Sequence, residues 1–152
     1  MAEGFQGASA ISLDAKGRLA VPTRYREKIL EQGGGQVVVT AHPQRCLLLY
    51  PALLWEPIAQ KIMKLSGFEA GASVLQQLLV GHADEVEMDS AGRVLISPTL
   101  RRLANIDREV MMFGQASHFR LWNPDAWERQ LEAFTQALPG AMPAGTESLS
   151  LF

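Results

Sequence analysis

Short apolar bursts, separated by glycine, proline and charged residues, set the rhythm of this chain. Residues 7–13 and 83–88 read as strands. Each runs into an Asp-x-x-Gly-Arg turn, in which glycine takes a positive φ at no steric cost. Apolar return strands follow at 18–21 and 93–96, and a short helix is expected after each. Ser97-Pro98 supplies an N-cap and a first helical residue for the second of these helices, and the cluster Gly33-Gly34-Gly35 ends the first. Residues 37–40 and 46–50 then read as a strand pair, with 110–114 and 118–122 as counterparts. Each half closes with a helix. The last one opens at Asn123-Pro124 and places Trp127, Leu131, Phe134 and Leu138 on one apolar stripe. Residues 66–80 connect the halves, and residues 139–145 have the composition of a mobile linker.

The two halves repeat one plan. LDAKGRLAV, starting at Leu13, aligns with MDSAGRVLI, starting at Met88, at an offset of 75 residues. Proline follows each block, at Pro22 and Pro98, and arginine falls at Arg26 and Arg101. LYPALLWE, starting at Leu49, aligns with LWNPDAWE, starting at Leu121. Agreement at so many positions in one order marks a tandem duplication. A single half holds too little strand-rich core to stand alone, and no staple supports it. The halves are therefore expected to pack on each other through their hairpins, with pseudo-two-fold symmetry and with Arg18 and Arg93 on a common side.

Composition narrows the class. The 152 residues are 47% hydrophobic and 20% charged, as in a folded globular protein. No apolar run approaches the roughly 18 residues of a membrane span. The opening MAEGFQGASA lacks the basic and apolar regions of a signal peptide. Cys46 is the single cysteine, so neither an intrachain disulfide nor an all-cysteine metal site is open to one chain, and a reducing cytoplasm fits.

The net charge of −2 does not itself suggest a nucleic-acid partner, but its distribution does. Residues 14–28 set Lys16, Arg18, Arg24, Arg26 and Lys28 against Asp14 and Glu27, and residues 89–102 set Arg93, Arg101 and Arg102 against Asp89. The C-terminal stretch is acidic, with Arg129 against Asp125, Glu128, Glu132 and Glu147. Asp14 and Asp89 read as braces of their turns, alongside Gly17 and Gly92. Arg18 and Arg93 have two readings: an ion pair with the neighbouring aspartate, or a fork of donors for phosphate or the guanine edge.

The remaining polar residues carry less. His42, His82 and His118 lack ligand spacing, and no metal is expected. Cys46 opens an apolar run and reads as a buried small hydrophobe. Asp84, Glu85 and Glu87 read as a solvated strand edge. Trp55 and Trp127 occupy equivalent helix positions and read as packing residues. No activated nucleophile or phosphate-cradling loop is present, so a small hydrolase is disfavoured. A scaffold that binds protein through its helix stripes and acidic tail is the competing class.

LDAKGRLAVPTRYRE and MDSAGRVLISPTLRR resemble the paired motifs of the MraZ family, as do CLLLYP and LLVGHADEVEMDSAGR. The resemblance covers the chain to about residue 135. It implies a mixed α+β, mostly β fold of two tandem AbrB-like (SpoVT-AbrB) swapped-hairpin modules, at 5–52 and 81–124. A helical connector at 53–80 and a C-terminal helix and flexible tail at 125–152 complete the expected chain. It further implies a non-enzymatic DNA-binding regulator without cofactors, acting as a ring-forming homo-oligomer in the cytoplasm and nucleoid. The resemblance also implies regulation of the bacterial division and cell-wall gene cluster, including its own gene, through repeated promoter boxes. Carried over by position, the DNA contacts implied are Lys16, Arg18 and Arg26 with Arg93, Arg101 and Arg102, and Arg24 joins them by charge and proximity. Ala91 stands where the first half has Lys16, and Ser97 where it has Pro22, so weaker binding is expected of the second half.

Overall fold

A computed structural model describes residues 4–137 and 142–149. In chain order it has β1 (Phe5–Ser12), β2 (Arg18–Ala20), α1 (Thr23–Glu31), β3 (Gln36–Ala41), β4 (Leu47–Pro51) and α2 (Ala52–Met63). The second half has α3 (Ala72–Leu75) running into a π-helical turn (Gln76–Val80), then β5 (Asp84–Glu87), β6 (Arg93–Leu95), α4 (Pro98–Leu103), β7 (Glu109–Ala116), β8 (His118–Trp122) and α5 (Pro124–Ala137). A short 3-10 turn spans Thr146–Leu149. Leu138 and part of the expected linker lie outside the described residues.

The caps form as the sequence suggests. Ser97 Oγ accepts from Leu100 N at 3.3 Å to open α4, and Asn123 Oδ1 accepts from Ala126 N at 3.0 Å at the start of α5. Each cap satisfies one of the amide donors that a helix start leaves unpaired.

The hairpins expected within each half do not zip. The first strand of each half pairs with the third strand of the other: β1 lies antiparallel to β7, and β5 to β3. The short return strands pair across the halves as a separate ribbon, β2 with β6. The remaining six strands form one sheet in the order β1-β7-β8-β4-β3-β5. Length explains the choice. A three-residue return strand satisfies few of the backbone groups of an eight-residue β1, whereas β7 pairs with β1 along its whole length.

Strand alternation then sorts the side chains. Val37, Val39, Leu47, Leu49, Val110, Met112, Phe119 and Leu121 enter one core with Leu19 and Val94 of the ribbon, Ile29 of α1 and Leu100 of α4. Phe119 is fully buried, with ring centroids 4.3 Å from Phe5 and 4.9 Å from Tyr25. Both halves thus supply a single core, which answers the shortage of each half alone. On the sheet's other face, Val38, Leu48 and Tyr50 pack under Trp55 and Leu79. Strands β3 and β4 are covered on both faces, and their near-continuous apolar sequence follows from that.

The α5 stripe departs from expectation. Trp127 packs on Phe113 and Trp122, at 4.6 and 5.6 Å between ring centroids, but Leu131 and Phe134 remain 38% and 41% exposed. No helix among the described residues is long and apolar enough to cross a membrane.

Candidate nucleic-acid interface

The ribbon register determines which way the arginines face. Arg18 lies opposite Leu95, Leu19 opposite Val94, and Ala20 opposite Arg93. Leu19 and Val94 are fully buried, so by strand alternation Arg18, Ala20, Arg93 and Leu95 share the outward face. Arg18 and Arg93 are diagonal neighbours on it, about 7–8 Å apart by the usual ribbon spacing. Leu95 is 47% exposed there. Its outward position follows from its place in the strand, two residues after Arg93, and the motif reading passed over it.

Each turn is closed by its aspartate. Asp14 Oδ1 accepts from the backbone N–H groups of Lys16 and Arg18, both at 2.9 Å, and Asp14 Oδ2 accepts from Arg18 Nε at 2.7 Å. Asp89 repeats this with Ala91 N at 3.0 Å, Arg93 N at 2.8 Å and Arg93 Nε at 2.9 Å. These bonds favour the carboxylate. The Arg18 backbone N–H holds Asp14 below its usual pKa, helped by the Arg18 side chain, and Arg93 does the same for Asp89. The ion-pair reading of the two arginines is the one seen in both turns. Nε is spent on the aspartate, while the Nη–H donors have no partner among the described residues. A single arginine orientation serves the turn and leaves its fork presented outward.

The other basic residues assemble crosswise between the halves. Val21 N donates to Gly92 O at 2.9 Å and Ile96 N to Gly17 O at 3.0 Å, docking each turn against the start of the other half's helix. Arg26 Nε donates to Val21 O at 2.8 Å, and its guanidinium crosses Gly92, where a Cβ would come within 2.1 Å of Nε. Arg101 Nε donates to Ile96 O at 3.1 Å and crosses Gly17, where a Cβ would come within 3.0 Å. Gly92 and Gly17 have φ of 77° and 84°. Glycine thus serves both the turn and the close approach of an arginine from the other half. Lys16 and Arg18 form one cluster with Arg101, and Arg93 forms the other with Arg26.

Arg24 and Arg102 stand apart from these clusters. Arg24 Nη2 donates to Ser9 Oγ at 2.9 Å and Tyr25 Oη at 2.8 Å, with its guanidinium 4.6 Å from the Tyr25 ring centroid, so it lies against β1. Arg102 is exposed at the end of α4.

Histidine and cysteine assemble no metal centre: no group of three His, Cys, Asp or Glu side chains with ligand geometry occurs among the described residues. His118 stacks on Tyr50 at 4.6 Å, and Cys46 is buried, which raises its thiol to about 11.

Comparison with known proteins agrees with this layout. The family described as "MraZ protein, putative antitoxin-like" matches twice, over residues 5–78 and 79–144. A protein of Methylobacillus flagellatus called Transcriptional regulator MraZ is 51% identical over 97% of this chain and 99% of its own length. Proteins of the same description from Thiobacillus denitrificans and Aromatoleum aromaticum are 48% and 47% identical over the same shares. With the family matched in both halves and relatives this similar along nearly the whole chain, the protein belongs to the MraZ family of transcriptional regulators, which are not enzymes.

Proposed function

We propose that this chain is a sequence-specific DNA-binding repressor of the division and cell-wall gene cluster, its own gene included, acting in the cytoplasm at the nucleoid. The observation that carries the reading is the β2–β6 ribbon, which presents Arg18 and Arg93 on one outward face. The major groove admits a two-stranded ribbon, and arginine pairs with guanine O6 and N7. Lys16 and Arg101 on one side, and Arg26 on the other, are suited to phosphate contacts that position the ribbon, with Arg24 and Arg102 at the periphery. Asp14, Gly17, Asp89 and Gly92 hold the turns in shape for this. Reciprocal strand pairing supports two swapped-hairpin modules, at 5–52 and 81–124, related by a pseudo-two-fold axis. A helical connector at 53–80 and a C-terminal helix and tail at 125–152 complete the proposed division.

Affinity comes from repetition. One chain neutralises few phosphates and has a net charge of −2, so a single ribbon binds modestly. A ring of identical chains multiplies the ribbons, and binding one box raises the effective concentration of the next ribbon to roughly millimolar. The target is then several short direct repeats near a promoter, spaced about one helical turn (~10 bp) apart. Gel-shift titrations test both layers. Arg18→Ala should cost about 1–3 kcal/mol per guanine contact and relax base preference. Inserting ~5 bp between two boxes should abolish most of the avidity, and ~10 bp should restore part of it. Unchanged operator binding by Arg18→Ala would refute the ribbon assignment, and indifference to both insertions would refute the multivalent mechanism.

A further inference from the structure

The outer face of the sheet is covered unequally. In the first half, Val38, Leu48 and Tyr50 lie beneath α2 and residues 72–80. Strand registers equate these positions with Met111, Arg120 and Trp122 of the second half. Among the described residues α5 covers that surface through Trp127, and no segment repeats 72–80 there. A cleft of about 270 Å³ remains, bounded by Phe113, Trp122, Trp127, Phe134, Gln44 and Arg120.

Arg120 is the unusual wall. Nη1 donates to Gln44 Oε1 at 2.9 Å, while Nε is buried without a hydrogen-bond partner. Among the described residues no carboxylate lies within ion-pair distance of it. Its charge is felt at His42, Cys46, Tyr50 and His118, none of which carries negative charge near neutrality. No carboxylate among the described residues balances this guanidinium in the cleft wall, so the cleft suits a carboxylate beside an apolar group.

The loop after α2 carries that combination. Ser66 Oγ accepts from Phe68 N at 3.3 Å, Ser66 O from Glu69 N at 3.1 Å, and Glu69 O from Ala72 N at 3.2 Å. The resulting turn holds Phe68 out at 102% exposure with Glu69 beside it. We infer that the cleft receives Phe68 of a second copy of this chain, whose Glu69 forms an ion pair with Arg120. The inference rests on the ring reading above and specifies its contact. The two patches are different surfaces, so each copy gives one and receives one. Such a head-to-tail contact closes into a ring when the rotation permits.

Charge reversal followed by light scattering tests this. Phe68→Asp, at a position that packs on nothing, should weaken self-association about 10–100-fold. Glu69→Arg and Arg120→Glu should each disrupt assembly alone. Mixed in equal amounts, these two variants should reassemble, because every contact in an alternating ring again joins opposite charges. Circular dichroism checks that Arg120→Glu folds, and if it does not, Phe68→Asp and Glu69→Arg carry the test. Unchanged assembly of those two variants overturns the inference and leaves the ring standing. Rescue by Glu69→Arg and Arg120→Glu in one chain, without rescue on mixing, shows the cleft filled from within the same chain and also overturns it. A wild-type chain that stays monomeric overturns both the contact and the ring.

Discussion

Gly92→Ala and Gly17→Ala form a matched pair whose difference measures the packing between the halves. Both glycines sit at positive φ, 77° and 84°, where an alanine costs about 1–2 kcal/mol in backbone energy. Stiffening the unfolded chain returns about 0.4–1 kcal/mol, so the shared cost is about 1 kcal/mol. The clash then separates them. At Gly17 a Cβ meets Arg101 at 3.0 Å, which a small side-chain shift relieves. At Gly92 it lands 2.1 Å from Arg26 Nε and 2.6 Å from its Cδ, so the guanidinium must leave and its 2.8 Å bond to Val21 O is lost. A charge-assisted bond at a partly exposed site, with water as the replacement acceptor, adds about 1–2 kcal/mol. Urea unfolding should therefore show Gly17→Ala destabilised by about 1 kcal/mol and Gly92→Ala by about 2–3 kcal/mol, or ~3 °C against ~8 °C in Tm. Arg26→Ala in the Gly92→Ala background should cost little more, since the bond to Val21 O that it would remove is already lost. Equal losses at the two glycines, or strict additivity of Gly92→Ala with Arg26→Ala, would refute the cross-packing argument.

Three further outcomes follow from the core and its titratable groups. Phe119→Ala removes the ring that Phe5 and Tyr25 share and should cost about 3–5 kcal/mol in urea unfolding; a loss below about 1 kcal/mol would mean that the site collapses around the gap. Burial, then the charges of Arg120 and His118, lowers His42 to about 4, so between about pH 6.5 and 4 the unfolded chain binds a proton that the folded chain refuses. Stability should fall as the pH drops through that window, and His42→Gln should flatten the slope; an unaltered pH profile would rule His42 out as its source. Cys46, raised to about 11 by burial, should resist iodoacetamide at pH 8 until the chain is unfolded, and equal native and denatured labelling rates would contradict its burial.

Most of the turn geometry was legible because its chemistry is local. Asp14 and Arg18, like Asp89 and Arg93, are four residues apart, and an aspartate that accepts from amides two and four residues ahead needs only its own turn. The caps at Ser97 and Asn123 are readable for the same reason. Arg24 shows the limit of reading by charge. It lies in the basic stretch, yet Ser9 and Tyr25 hold it beside β1. Arg120 left no such signal, since a lone arginine in a strand reads as solvent-facing until the covering layers are known.

By itself the sequence determined the duplication, the strand and helix types, the turn chemistry and the family. Each of these depends on neighbours within a few residues or on the repeat of one segment by another. Only the tertiary structure decided that β1 leaves its own return strand for β7, that Arg26 crosses Gly92 while Arg101 crosses Gly17, and that much of the α5 stripe stays exposed. Those outcomes depend on which distant strand satisfies the most backbone groups and on how the elements of the two halves come to lie against one another. Both are sums over the folded chain that no local pattern contains.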